Sequence, residues 1–73
     1  MELGRPGYRQ ITNDLAAQIE AGTLRPGDKL PSASELQAHY QVSGTVIRMV
    51  MVELKARQLV YGQPGRGVYV KPG

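Results

Sequence analysis

Residues 32–57 read SASELQAHYQVSGTVIRMVMVELKAR, and the fold follows from how this run divides. Ser32 and Glu35 stand three apart. At that spacing a serine hydroxyl accepts from the third backbone N–H of a helix while the glutamate carboxylate reaches back to the serine N–H. A helix is therefore expected to begin at Ser32. It carries Leu36 and Tyr40 four apart, on one face, and ends before Gln41-Val42. Ser43 is a second N-cap, and Ile47, Val50, Met51 and Leu54 recur behind it at helical spacing, so another helix runs to about Arg57. Only three or four residues connect the two helices, as in a helix-turn-helix.

Working outward, Ile11, Leu15 and Ile19 recur at helical spacing from Tyr8, and Gly22 stands where a helix takes a left-handed C-terminal residue. A first helix is expected over Tyr8–Ala21. The stretch from Leu24 to Pro31 combines a Pro26-Gly27 turn with a brief extended piece at Lys29-Leu30. Downstream, Leu59-Val60-Tyr61 and Val68-Tyr69-Val70 are β-prone runs flanking Gly62–Gly67, in which Pro64-Gly65 suits the centre of a type II turn. The fold class is thus α+β: a winged helix-turn-helix of three helices plus a small antiparallel β-sheet with a C-terminal hairpin wing. Residues 1–7 read as an N-terminal arm, 8–70 as the domain and 71–73 as the start of a linker.

The remaining properties exclude more than they assign. A chain of 73 residues, 41% hydrophobic and 21% charged, holds one small soluble domain with a core too small for a cleft between lobes. No cysteine is present, so neither disulfides nor thiolate metal sites are available. His39, the single histidine, has no carboxylate at an interpretable interval, and no phosphate-binding loop precedes a helix. Catalysis is rejected, and no metal or small-molecule cofactor is implied. No signal peptide or membrane span is present, which makes a cytoplasmic protein the default. The net charge of +3 permits attraction to nucleic acid without requiring it.

The order of elements carries the function. A helix fits the major groove with its N-terminal side chains at base edges, and a Gly65-Arg66-Gly67 hairpin tip lets backbone approach the duplex with one cation at the negative minor groove. At about 100° per residue, Met51 and Leu54 fall near the direction of Ile47, whereas Thr45, Arg48, Met49 and Val52 fall on the opposite half of the last helix. Those four would meet a groove or a partner.

The residues Tyr8-Arg9-Gln10-Ile11, Gly22 through Ser32, Glu35-Leu36, Val42-Ser43, Thr45, Arg48, Leu54, Leu59-Val60 and Gly65 through Val70 together resemble the DNA-binding domain of the GntR family. The resemblance implies binding to palindromic double-stranded DNA operators as a homodimer in a full-length regulator, most often a repressor. It also implies a separate effector domain for a metabolite, which would lie outside these residues. The DNA-binding positions implied are Ser34, Ser43, Gly44, Thr45, Val46, Arg48, Arg66 and Gly67.

Several of these depart from the family pattern. Ser34 and Gly44 occupy positions where the family commonly has arginine, Val46 one where threonine is common, and Gln58 one where glycine is expected. Met49 and Val52 are apolar where polar residues are usual. They are open to three readings: contact with thymine methyl groups, a protein interface, or incidental surface. The rival function is accordingly a winged helix that binds protein through Val46, Met49 and Val52. Ser43 serves as a helix cap in either case, Arg66 is read either as a minor-groove contact or as a polar turn residue, and Lys55 is read as a solvated charge outside the site.

Overall fold

Helix α1 spans Tyr8–Ala21 and buries Ile11 and Leu15 as their spacing predicts, together with Ala16, while Ile19 is half-buried at the margin of the core. It stops at Gly22, whose φ of 84° is open to glycine without a steric cost and whose N–H returns to the Ile19 carbonyl. The computed structural model containing it describes residues 6–72; most of the expected arm, residues 1–5, and Gly73 of the expected linker lie outside the described residues. Thr12, which apolar periodicity does not select, is fully buried in this helix. Its hydroxyl donates to the Tyr8 carbonyl at 2.7 Å, so the burial leaves no unpaired polar atom.

Helix α2, Ala33–Tyr40, opens with both halves of its capping box: Glu35 N–H donates to Ser32 Oγ at 3.1 Å and Ser32 N–H to Glu35 Oε1 at 2.8 Å. The Ser32 backbone N–H, then its hydroxyl, hold the Glu35 carboxyl below the usual carboxylate range. Helix α3, Gly44–Ala56, is capped by Ser43 and packs against both α1 and α2. Ile47, Val50 and Leu54 are buried with Ile11, Leu15, Leu30, Leu36, Val60 and Val70 in one core.

Two positions on α3 differ from expectation. Met51 lies half-buried at the margin of the core rather than within it. Val46, expected to face outward, is half-buried, because the turn through Gln41, Val42 and Ser43 folds beside it.

The C-terminal hairpin pairs β1, Val60–Gln63, with β2, Gly67–Val70, in antiparallel register from Val60↔Val70 to Gln63↔Gly67. Its turn has Pro64-Gly65 at the centre, with Gly65 at φ 76° and Arg66 N–H donating to the Gln63 carbonyl at 2.9 Å. The strands reach further toward the tip than β propensity suggests, taking in Gly62, Gln63 and Gly67, whereas Leu59 lies in the connection between α3 and β1, its N–H bonded back to the Leu54 carbonyl. The extended piece before α2 pairs with the outer edge of β2. Lys29 bridges Tyr69, Leu30 N–H donates to the Val68 carbonyl, and Val70 N–H to the Asp28 carbonyl, both at 2.8 Å. This places the wing beside α3, with Val60 and Val70 closing the core.

Candidate nucleic-acid interface

The solvent side of α3 is set by its opposite side. Because Ile47, Val50 and Leu54 are committed to the core, Thr45, Arg48, Met49 and Val52 are left exposed at intervals of three, four and seven. The helix begins at the exposed Ser43, Gly44 and Thr45. Ser43 Oγ accepts from Val46 N–H at 3.4 Å, so the preceding amides remain outside the intrahelical ladder, the arrangement that attracts anions to helix N-termini. A Cβ on Gly44 would stand 3.4 Å from the Gln37 side chain, so α2 passes close to this end. Ser34 lies three residues before Gln37 on α2 and is exposed, which puts it on the face of α2 that leads to Gly44.

The wing supplies the second part. Arg66 is exposed at the tip. Gly67 has φ 134°, and a Cβ there would come within 2.7 Å of Lys29 Cε. The backbone conformation therefore favours glycine, whereas the exposed lysine stem could swing aside. Lys55, read from sequence as a solvated charge, reaches back to the hairpin: its Nζ stands 3.4 Å from where a Gly62 Cβ would be, in a hollow shared with Gly65 and Arg66. Its position three residues after Val52 was the available signal. Lys29 had none, since only the pairing of the connector with β2 brings it to the wing.

Among the described residues the sole ion pair joins Arg57 to Glu53 at 3.5 Å, and Arg57 also donates to Asn13. Arg48, Lys55 and Arg66 thus form no ion pair among the described residues, the condition under which cations remain available to phosphate, and Lys29 has only the charge of Glu35 nearby. His39 is exposed, edge-on to Tyr40 at 4.7 Å between ring centroids. No group of histidines and carboxylates that could hold a metal occurs among the described residues. Nor is any helix among them long and apolar enough to cross a membrane.

The geometry has close counterparts. A GntR family transcriptional regulator from Listeria monocytogenes superposes with a TM-score of 0.88 at 32% identity, over all of this chain and 64% of that one. The DNA-binding domain of AraR, in a crystal structure with operator ORE1, superposes with a TM-score of 0.85 at 30% identity, over 96% of this chain and 85% of that one. In sequence, the chain is 40% identical over 67 residues to the mannosyl-D-glycerate transport/metabolism system repressor MngR of Escherichia coli K12. That match covers 92% of this chain but only 28% of the repressor's length. The model of bacterial regulatory proteins of the gntR family matches residues 7–70, and the chain therefore belongs to the GntR family of DNA-binding transcriptional regulators, as its winged helix-turn-helix domain.

Proposed function

We propose that this domain reads an operator with α3 in the major groove and the wing at the minor groove, as part of a cytoplasmic homodimeric repressor. The observation that carries the docking is the exposed Thr45 and Arg48 on a helix whose other side is committed to the core through Ile47, Val50 and Leu54. The AraR domain, seen with its operator, supports the same use of the fold, and the MngR relative, named as a repressor, supports repression.

Thr45 and Arg48 contact base edges or phosphate. Ser43 and Gly44 present the helix N-terminus to a phosphate, with Ser34 on the neighbouring helix facing the same strand. Val46, half-buried, holds the start of α3 against the turn. Arg66 enters the minor groove where Gly67 permits close approach, and Lys29 and Lys55 lie against the flanking phosphates. A ligand for the full-length regulator would bind a separate effector domain. Two half-sites held by a dimer bind far more tightly than one, so a single copy binds weakly.

The test is a titration of fluorescent duplexes enriched by the chain from a randomised pool, against an unrelated duplex, at two salt concentrations. Phosphate contacts by cations predict affinity that falls with salt. Arg48→Ala is expected to lose about 1–3 kcal/mol of specific binding without a change in melting temperature. Salt-independent binding would overturn the DNA reading, and unchanged affinity in the variant would remove Arg48 from the interface.

A further inference from the structure

The exposed side of α3 holds two large apolar side chains, Met49 at 42% and Val52 at 62% exposure, and these are the only exposed large hydrophobics among the described residues. Both continue the stripe that starts with Thr45 and Arg48. Building on the docking proposed above, we infer that Met49 and Val52 read the 5-methyl groups of thymines in the major groove, which makes them specificity-determining residues for T·A pairs.

Three observations select this occupant. First, the patch is continuous with the DNA-facing stripe instead of lying on a separate face: Met49 adjoins Arg48, and Val52 lies a further turn along the helix. Thr45 to Val52 spans about 10 Å at 1.5 Å per residue. That is about three base-pair steps of 3.4 Å, so both side chains address neighbouring pairs of one half-site. Second, two side chains are too small a patch for a stable protein partner, which needs about 800 Å² on each side. Third, the major-groove edge of a base pair offers one apolar feature, the thymine methyl. The α3 carboxylate beside the patch, Glu53, is 40% exposed, and its charge is offset by the pairing with Arg57 at 3.5 Å. A flexible thioether can follow a methyl group whose position varies, whereas a β-branched valine holds one fixed position.

The experiment takes the sequence enriched from the randomised pool and replaces each thymine in turn with deoxyuridine, which removes only the methyl group. Affinities are measured by anisotropy for the unaltered chain, Met49→Ala and Val52→Ala, with melting curves for each. Burying one methyl group is worth about fourfold in affinity. One or two deoxyuridine positions per half-site should therefore weaken binding by about fourfold. Met49→Ala should bind the thymine duplex about fourfold more weakly and lose the difference between thymine and deoxyuridine at one position, Val52→Ala at its neighbour. Equal affinity for thymine and deoxyuridine at every position overturns the inference. So does a deoxyuridine loss that persists unchanged in both variants. If no duplex is enriched at all, the DNA docking itself has failed, an outcome distinct from indifference to the methyl group. Should either variant melt early, the unaltered chain on the two kinds of duplex still decides whether methyl groups are read.

Discussion

Two glutamines, Gln41 at φ 56° and Gln58 at φ 64°, end α2 and α3 in the left-handed region that most side chains avoid. At Gln58 the reason is hydrogen bonding. Its N–H donates to the Lys55 carbonyl at 3.0 Å and the Leu59 N–H to the Leu54 carbonyl at 3.1 Å, a Schellman ending that turns the chain into the wing. The glycine expected at this position is missing, yet the terminus keeps its geometry and carries the strain instead. Gln58→Gly should therefore stabilise the domain by about 1 kcal/mol, less a small loss from the exposed hydrogen bond between Lys71 Nζ and Gln58 Oε1. In a domain this small that corresponds to a rise of a few degrees in melting temperature. An unchanged or lowered melting temperature would show that the left-handed residue costs nothing here.

The helix-turn-helix as an element presents less positive charge than its relatives are expected to carry, through Ser34 and Gly44. Both positions are exposed, and the Gly44 contact with Gln37 is an ordinary van der Waals approach to a movable side chain, so arginine fits at each. Ser34→Arg combined with Gly44→Arg should steepen the slope of log affinity against log salt by nearly two, at about 0.9 for each new phosphate contact. Affinity should rise on every duplex, and discrimination between sequences should fall, because phosphate contacts do not read bases. Replacing a first-turn glycine also adds helix stability, by no more than about 1 kcal/mol, which melting curves separate from binding. A salt slope equal to that of the unaltered chain would place both positions away from DNA.

Across the whole molecule, α2 is tied back to α1 by the Tyr40 hydroxyl, which donates to the Asp14 carboxylate 26 residues away. Burial first, then the hydrogen bond and the charge of Asp14, push the Tyr40 phenol up to about 12. The folded state thus retains a proton that the unfolded chain gives up near pH 10. The stabilisation is complete below pH 10 and is lost as pH rises from 10 through 12. The pair lies near the surface, where water screens it, so its worth is about 1 kcal/mol or less. Denaturant titrations from pH 7 to 12 should find Tyr40→Phe less stable at neutral pH, with the gap to the unaltered chain closing above pH 10. A gap that does not change with pH would assign the loss to packing alone.

The three helices, their capping serines and the hairpin turn were legible in the sequence because each rests on local chemistry. The Ser32 and Glu35 box, the Gly22 terminus and the Pro64-Gly65 turn all act over four or five residues, and the stripe of Ile47, Val50 and Leu54 needs only the helical repeat. The same repeat placed Thr45, Arg48, Met49 and Val52 outside. Local pattern could not see what depends on a second segment. Thr12 is buried because α3 covers α1, and Val46 is half-buried because the turn folds beside it. Lys29 and Lys55 join the wing because the connector pairs with β2 and the hairpin folds back against α3. Periodicity records which face of an element is apolar, whereas the neighbour that covers that face, and the cations brought together across it, follow only from how the elements pack.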